Sequence, residues 1–433
     1  MKKKFGNTVK RALETALCLL CVMSFASCSD MTSQLGIATD PPATQEQTNE
    51  DGNTVYTGAY GGMFDDGKTL DIRIKMTESD KTSMFNTPDI EEYYHADVSI
   101  DGKSVSNVGF RTRGNVSYVS TTETERFSFK IHFGKFVENV TLDGLDELCL
   151  NNMAYDPSYI REYLTYMALA ELGAPAPLAT FAKVYINDSY AGLYLAVEAV
   201  DDSFLERVYG TSEGNLYKAN RDSTLQSNDC TTFELKSGDD ANLHQLKTMI
   251  NLLSDTEKLP NVLDISSVLK YTAVNAVIAN EDSYIGERAR NYYFYESDGK
   301  MKMIPWDFNL AFGTDTSLRK DNYAIKLSLI DADVKAPYFS VEASARPLVS
   351  NLLSQSVYYD EYMQYVNKLS EFMDELPDKC NSVKALIDEN VKNDTTSFYG
   401  YDMFAGEFDE GRANSLMSFI KARSASIKTQ LGK

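Results

Sequence analysis

Alternating apolar and polar positions dominate residues 68–136. Leu70, Ile72 and Ile74 fall on one face of a predicted strand. Two further strands are predicted on either side of the turn at Asp101-Gly102. A later strand has an apolar face and a polar face, formed respectively by Phe127, Phe129, Ile131 and Phe133 and by Ser128, Lys130 and His132. This half of the chain is therefore predicted to form a mostly antiparallel sheet.

After residue 155 the spacing of apolar residues changes from every second residue, typical of a strand, to a period of about 3.6 residues, typical of a helix. Asp156 is a suitable N-cap and Pro157 a suitable first helical residue, while Gly173 is a typical stop. The apolar stripe of this predicted helix consists of Ile160, Leu164, Met167 and Ala168. A hairpin follows, with its turn at Asn187-Asp188.

Helical patterns prevail in the second half of the chain. Two helices are predicted within residues 240–279. Later helical stretches are predicted at Val349 to Leu353, Tyr358 to Met373, Val383 to Val391 and Arg412 to Leu431. The predicted fold class is α+β, with an N-terminal, mostly antiparallel sheet lobe and a helical C-terminal lobe.

Residues 278–313 interrupt the helical half with a second hairpin, whose turn is Asp298-Gly299. Asn291 begins its first strand, Asp307 follows its second strand, and Asp282 lies on the loop before it. The order Asp, Asn, hairpin, Asp is the layout of a kinase active centre, where oxygen ligands hold Mg²⁺ or Mn²⁺. From the residue types alone, turn formation is the better-supported interpretation.

Longer motifs favour the kinase-like interpretation over simple turn formation. Asn-Glu-Asp-Ser-Tyr at residues 280–284, Asn-Tyr-Tyr-Phe-Tyr at 291–295 and Pro-Trp-Asp-Phe-Asn-Leu-Ala-Phe-Gly at 305–313 resemble the hallmark run of the spore-coat protein H (CotH) kinase family. Members of this family are atypical, secreted protein kinases with a reduced kinase-like fold. The resemblance covers roughly residues 65 to 431, which implies one atypical protein-kinase-like domain.

The resemblance also implies roles for individual residues. Asp282 would be the catalytic Asp, Asn291 and Asp307 the metal ligands, and Lys130 the lysine that binds the nucleotide phosphates. The resemblance implies four further residues of the nucleotide site. Arg113 and Gly114 would replace the glycine-rich loop, Glu162 would be the helical partner of Lys130, and Glu198 would lie near the hinge between the lobes.

The motifs leave the role of Lys218 open, and they differ in places from the kinase pattern. Lys218, within Gly-Asn-Leu-Tyr-Lys, either contacts the nucleotide or forms a salt bridge. The chain also departs from ordinary kinases, because it lacks His-Arg-Asp and has Asp-Phe-Asn in place of Asp-Phe-Gly. Arg290 stands where the family often has His.

The charge and the numbers of His and Cys residues limit the kinds of partner and metal site that the sequence predicts. The formal charge of −21 over 433 residues argues against nucleic-acid binding and suits basic protein substrates, Ser-rich ones among them. Three His residues make a His-based metal site an unfavoured hypothesis. If Cys28 is modified, Cys149, Cys230 and Cys380 allow at most one disulfide within the mature chain.

The N-terminus is typical of a targeting segment. Residues 1–28 combine a basic start, a short apolar core and Phe-Ala-Ser-Cys, which resembles a bacterial lipobox and predicts a lipidated Cys28. Ordinary secretion is the second interpretation. Residues 29–64 are polar and predict a flexible tether, followed by the domain at 65–431. The expected location is the bacterial cell surface.

Three functions are compatible with these observations. The first is a surface-anchored protein kinase that transfers the γ-phosphate of ATP, with Mg²⁺ or Mn²⁺, to Ser or Thr of extracellular or coat proteins. The second is a non-catalytic surface interaction or assembly module of the same fold. The third, a hydrolase that uses Asp282 and Asp307 on a sugar, rests only on the residue types. The joint presence of the metal, base and lysine candidates favours the kinase.

Overall fold

The structure is a computed structural model that describes two short strands, at residues 45–48 and 54–57, and then residues 59–65, 67–114, 125–314 and 325–433. Thr44–Lys433 forms one compact unit. The predicted signal peptide, with Cys28, lies outside the described residues. The two short strands pair with each other inside the segment for which a flexible tether is predicted.

Thirteen β-strands are found in the described part of the chain. They are β1 Gln45–Thr48, β2 Thr54–Thr57, β3 Thr69–Lys75, β4 Tyr94–Ile100, β5 Lys103–Arg113, β6 Ser128–His132, β7 Glu147–Asn151, β8 Ala179–Ile186, β9 Ser189–Glu198, β10 Asn215–Ala219, β11 Phe233–Ser237, β12 Tyr292–Ser297 and β13 Lys300–Pro305.

The α-helices of the described residues lie mostly in the second half. They are α1 Glu78–Asn86, α2 Arg161–Glu171, α3 Asp202–Tyr209, α4 His244–Asn251, α5 Ile265–Val277, α6 Pro347–Leu353, α7 Ser356–Lys392, α8 Tyr401–Glu407 and α9 Leu416–Leu431. The mixed α+β class predicted from the sequence is confirmed.

Strands β3 to β9 close into a seven-stranded barrel in the order β3-β4-β5-β6-β7-β9-β8. All neighbouring pairs are antiparallel except β3 and β8, which pair in parallel and complete the closure. The predicted alternation holds, because Leu70, Ile72 and Ile74 are at most 1% exposed. The apolar face of β6 is likewise buried in the barrel core, which leaves its polar face outside.

Three hairpins have the two-residue turns that the sequence predicts. Asp101-Gly102, Asn187-Asp188 and Asp298-Gly299 each join paired strands. All six of these residues have positive φ angles, the conformation of a type I′ turn, which Asn, Asp and Gly adopt at low cost. Local turn chemistry therefore fixes the register of these strand pairs.

A second, four-stranded antiparallel sheet lies outside the barrel, in the order β11-β10-β12-β13. It packs with the helices around a separate apolar cluster, in which α5 is the central helix. Val268, Tyr271, Thr272 and Asn275, predicted to lie along this helix, are all fully buried. The helix therefore supports the loop that follows it, which carries Asp282.

The boundaries of two predicted helices are wrong. Helix α2 begins at Arg161, not at Pro157, because the Asp156 carboxylate binds the backbone N–H groups of Ser158 and Arg161 and the Arg161 guanidinium. These bonds hold residues 156–160 in a turn. The last helix begins at Leu416 rather than Arg412, since the Ser415 hydroxyl caps it by accepting from the N–H of Ser418.

The stretches predicted at 358–373 and 383–391 belong to one 37-residue helix, α7, with Pro377 inside it. Pro usually ends or kinks a helix because it lacks an N–H and its ring clashes with the preceding turn. Here Leu376, Cys380 and Val383 continue the buried stripe across the proline. Tertiary packing therefore outweighs the local helix-breaking signal.

A buried ion pair connects the barrel with the segment after α7. Arg126 Nη1 lies 2.7 Å from Asp394 Oδ2, and both side chains are fully buried. The same Asp394 oxygen accepts from the backbone N–H of Leu193 in β9 at 3.0 Å. The barrel and the helical part are thus held together by charged groups that have no access to water.

Two further findings concern cysteines and membranes. Cys149, Cys230 and Cys380 are free and buried, so the disulfide that the sequence permits is absent from the described residues. Within the described part of the chain, no helix is both long enough and apolar enough to span a bilayer.

Candidate functional site

A cleft of about 1510 Å³ lies between the outer face of the barrel and the four-stranded sheet. The barrel contributes the polar face of β6, and the sheet contributes residues of β10, β11 and β12. Seven of the nine active-site candidates from the sequence line this cleft: Arg113, Gly114, Lys130, Glu162, Lys218, Asn291 and Asp307. Asp282 lies just behind the wall of the cleft, and Glu198 does not line it.

Asp282 is 2% exposed and is enclosed by donors. Arg290 binds it in a bidentate manner, from Nε to Oδ1 at 2.9 Å and from Nη2 to Oδ2 at 2.6 Å. Arg288 Nη1 lies 3.4 Å from Oδ1, and Asn291 Nδ2 lies 3.0 Å from Oδ2. Since a carboxylate has about four acceptor positions, this one is fully satisfied within the protein.

Asn291 directly precedes β12, and Asp307 follows β13 by two residues, so both lie at the open end of the β12–β13 hairpin. The backbone N–H of Trp306 donates to the carbonyl of Asn291 at 3.2 Å, which closes this end. Asn291 has φ +65° and Asp307 has φ +58°, a left-handed conformation that Asn and Asp tolerate better than most residues. The backbone thereby turns both side chains out of the sheet at the point where it meets the cleft.

The Asp307 carboxylate forms no hydrogen bond or ion pair with any residue that the structure describes. Burial raises its pKa above the usual range; Asp282 reinforces this shift, while Arg290 and Arg113 oppose it. A partly buried carboxylate near several cations, whose oxygens no described residue binds, is suited to a cation that comes with the substrate.

Arg113 connects the cleft to helix α2. It donates to Asn151 Oδ1, and its guanidinium lies 5.7 Å from the ring centre of Trp306. Asn151 Nδ2 in turn donates to Glu162 Oε2 at 2.8 Å, and the Tyr166 hydroxyl donates to Glu162 Oε1 at 2.8 Å. Burial, followed by the charge of Asp307, raises the pKa of Glu162 to about 7.

The ion pair expected between Lys130 and Glu162 is not formed. Lys130 pairs with Glu147 on the neighbouring strand β7, and this carboxylate also lies 3.1 Å from His132 Nδ1. Burial opposes the charge on Lys130, but Glu147, together with Cys149 and Tyr93, raises the pKa of the lysine above its usual value. Lys130 pairs with Glu147 because their strands, β6 and β7, are hydrogen-bonded neighbours. Glu162 is already bound by Asn151 and Tyr166.

The expectation that Glu198 contributes to the nucleotide site also needs correction. Its carboxylate is fully buried and accepts from the Tyr60 hydroxyl at 2.6 Å, from Arg207 Nε at 2.8 Å and from the N–H of Leu178 at 2.9 Å. These bonds join the segment before β3 to helix α3. Glu198 therefore stabilises the fold beside the cleft and does not face into it.

Lys218 lines the cleft from β10, and no described residue binds its amine. The salt bridge left open by the sequence is therefore not formed with any described residue, because Glu234, the cross-strand neighbour of Lys218, pairs with Lys236 at 2.9 Å. Burial lowers the pKa of Lys218, and the nearby cations Arg113 and Lys236 lower it further.

Sequence reasoning missed Glu147, Asn151 and the role of Arg290. The sequence shows Arg290 directly before Asn291, but its bidentate contact with Asp282 depends on the conformation of the loop. Glu147 and Asn151 both lie on β7, and their partners lie on β6, β5 and α2, so these contacts depend on the assembled barrel and its packing against the helix. No local pattern in the sequence marks these residues as part of the site.

The residues present fit a divalent metal of the magnesium type. Asp307 offers a carboxylate, and Asn291 uses its Nδ2 on Asp282, which leaves Oδ1 without a hydrogen bond within the described residues. Among those residues no cluster of three or more His, Cys, Asp or Glu side chains is arranged for a metal. Such a sparse oxygen set is typical of Mg²⁺ sites that substrate phosphates complete.

The family model for CotH kinase protein matches residues 110–427, which is most of the chain. The chain therefore belongs to the CotH kinase family, and the resemblance seen in its motifs is confirmed. The matched range contains every active-site candidate described above.

Individual proteins also show similarity to the chain. Inner spore coat protein H of Bacillus subtilis (strain 168) is 28% identical over 207 residues, which are 44% of this chain and 56% of that protein. A chain in the Shewanella oneidensis MR-1 toxin–antitoxin complex of HipA, HipB and operator DNA is 12% identical with a TM-score of 0.33, covering 66% of this chain and 58% of that one. Similarity at that level does not establish a common fold.

Proposed function

We propose that the protein is a surface-anchored protein kinase that transfers the γ-phosphate of ATP to Ser or Thr of extracellular or coat proteins. The observation that supports this most strongly is the Asp307 carboxylate, which no described residue binds and which lines a large cleft together with Asn291. Membership of the CotH kinase family supports the reaction class. The spore-coat relative supports a location outside the cytoplasm.

In this proposal Asp307 and the Oδ1 atom of Asn291 hold Mg²⁺ or Mn²⁺. The ion supplies positive charge to the phosphate oxygens when it is bound. Asn291 also fixes Asp282 through two hydrogen bonds from Nδ2, at 2.7 Å to the carbonyl oxygen and 3.0 Å to Oδ2. One residue thus couples the metal site to the proposed catalytic carboxylate.

Asp282 orients the acceptor hydroxyl. Because its four acceptor positions are occupied, the hydroxyl must take the place of one donor. The Arg288 contact is the longest, at 3.4 Å, and Arg288 lies on the cleft wall. Exchange at this position leaves the bidentate Arg290 contact and the Asn291 contact in place. Arg290 then acts as a positioning residue that keeps the Asp282 carboxylate fixed.

The alternative is a non-catalytic interaction module of the same fold. The spore-coat relative is named for an assembly and not for an enzyme, which keeps this function under consideration. The two functions differ in nucleotide binding, because a cleft used only for assembly has no requirement for ATP. A carboxylate-pair hydrolase is disfavoured by the family assignment and by the enclosure of Asp282.

Titration of the protein with ATP and Mg²⁺ or Mn²⁺, followed by thermal unfolding, tests the proposal against the module. A kinase gains stability with nucleotide concentration, because a ligand bound only by the folded state raises the unfolding temperature. Labelled ATP and a basic, Ser-rich acceptor protein then test transfer, and phosphoamino-acid analysis identifies Ser or Thr. A protein that neither binds nucleotide nor labels any acceptor is an interaction module.

A further inference from the structure

The cations of the cleft differ in whether the protein itself neutralises them. Lys130 pairs with Glu147, and Arg290 pairs with Asp282. Arg113 donates to a neutral amide, that of Asn151, and no described carboxylate lies within ion-pair distance of it. Lys218 has neither a hydrogen bond nor an ion pair with any described residue. Among the partly buried cations of the cleft, Arg113 and Lys218 are therefore left without a carboxylate partner in the described residues.

These two cations come from different sheets. Arg113 is the last residue of β5 in the barrel, and Lys218 lies in the middle of β10 in the four-stranded sheet. Both line the cleft, and the charges of both act on Asp307. The cations and the candidate metal ligand thus lie within electrostatic reach of one another.

An arrangement of this kind is unfavourable when the cleft is empty. The cross-strand neighbour of Lys218 is Glu234, the partner that sheet geometry offers, yet Glu234 pairs with Lys236. Lys218 is left half-buried, with Arg113 as a like charge nearby. Burial of an unpaired charge is costly, and an anion in the cleft removes that cost.

We infer that Lys218 and Arg113 form a phosphate-binding pair that holds the polyphosphate of the nucleotide beside Asp307. This inference rests on the proposed function, because it names the residues that bind the substrate of that reaction. Lys218 contributes a point charge with three donors, and Arg113 contributes a planar guanidinium, which the Trp306 ring and Asn151 hold in place.

In this inference Lys218, rather than Lys130, makes the larger contribution to phosphate binding. Lys130, assigned to the phosphates through the family resemblance, has its charge balanced by Glu147 on the next strand. Lys218 has no such partner among the described residues, so an incoming phosphate does not have to compete with a protein carboxylate for it. Loss of Lys218 should therefore weaken phosphate binding more than loss of Lys130 does.

The test uses inorganic tripolyphosphate as the probe, without metal and in the presence of a chelator, on the full chain. Calorimetric titration compares the wild type with Lys218→Met, and Lys302→Met is the matched control. Lys302 lies on the same sheet, is also half-buried and also has a pKa lowered by burial, but it does not line the cleft. A circular dichroism melt confirms that each variant folds.

We expect Lys218→Met to weaken tripolyphosphate binding by about tenfold or more, the usual effect of losing a charged hydrogen bond. Lys302→Met should bind like the wild type, and Lys218→Arg should regain most of the affinity. Equal binding by Lys218→Met and the wild type overturns the inference, as does the absence of binding by the wild type. If tripolyphosphate binds through Lys218 but no phosphate is ever transferred, the inference stands and the proposed kinase activity fails.

Discussion

Buried charged groups in this protein fall into two classes at the scale of single residues. Arg126 with Asp394, and Glu198 with Arg207, form ion pairs that have little or no access to water. Asp307 faces the cleft, and no described residue pairs with its carboxylate. Removal of one partner from a pair of the first class leaves an uncompensated buried charge, whereas an unpaired charge at a cleft is typical of a functional site.

Replacement of Arg126 by Met should destabilise the fold by about 3–5 kcal/mol, because Asp394 is left as an uncompensated buried charge. Arg73→Met is the matched control, since Arg73 pairs with Asp71 at the surface, where its side chain is 48% exposed. That change should have little effect, because water already screens an ion pair at the surface. Urea denaturation measures both, and equal effects would refute the structural role of the buried pair.

At the scale of elements, the loop between α5 and β12 decides the geometry of the site. Tyr271 in α5 accepts from the N–H of Tyr284 at 2.9 Å, and Asn280 accepts from the N–H of Asp282 at 3.1 Å. A Cβ atom at Gly286 would lie 1.7 Å from the carbonyl oxygen of Glu281. The loop can close around Asp282 only because residue 286 has no side chain.

Gly286→Ala should therefore displace the loop, lower phosphate transfer by at least about tenfold through misplacement of Asp282, and reduce stability. Gly299→Ala is the control. Gly299 lies in the β12–β13 turn, where a Cβ atom would have no neighbour within 4 Å, and only its φ of +74° opposes the change. The cost should be about 1 kcal/mol with transfer retained. Transfer assays and denaturation distinguish the two, and normal activity in Gly286→Ala would contradict this account of the loop.

The elements that could be predicted are those with local causes. The turns at Asn187-Asp188 and Asp298-Gly299 and the buried stripe of β6 follow from residue types a few positions apart. Closure of the barrel depends on the parallel pairing of β3 with β8, more than a hundred residues apart, and no local signal encodes it.

In the candidate site, too, only residues that are close together in the sequence can be predicted from local patterns. The motifs at 280–284, 291–295 and 305–313 single out Asp282, Asn291 and Asp307, because all three lie around one hairpin, and their roles stay predictions. The partner of Lys130 could not be found in this way. Strand β7 places Glu147 beside it, whereas the helix that carries Glu162 turns that carboxylate toward Asn151.

At the scale of the whole molecule, the catalytic proposal and the anchoring proposal concern different parts of the chain. Thr44–Lys433 forms a compact unit that contains the cleft, and the segment before it carries the predicted lipidation site, Cys28. Lipid attachment would hold the cleft at the outer surface of the membrane, where extracellular proteins are accessible as substrates.

Cys28→Ser should release the protein from the membrane fraction of a bacterial host, because the acyl chains have no thiol to which they can attach. Cys21→Ser is the matched control; it lies in the apolar core of the predicted signal segment and should leave the protein in the membrane fraction. Detergent phase partitioning with metabolic labelling by palmitate measures both. Palmitate label in Cys28→Ser would exclude Cys28 as the lipidated residue.

The central claim is that Asp307 serves phosphate transfer, and the most direct measurement is transfer from γ-labelled ATP by Asp307→Asn. Asn keeps the left-handed backbone, so the change removes charge without adding strain. Asp298→Asn is the control, since Asp298 has a similar φ of +53° in the turn at the opposite end of the hairpin. We predict at least about a hundredfold loss for Asp307→Asn and wild-type transfer for Asp298→Asn. Wild-type transfer by a folded Asp307→Asn protein would contradict the account.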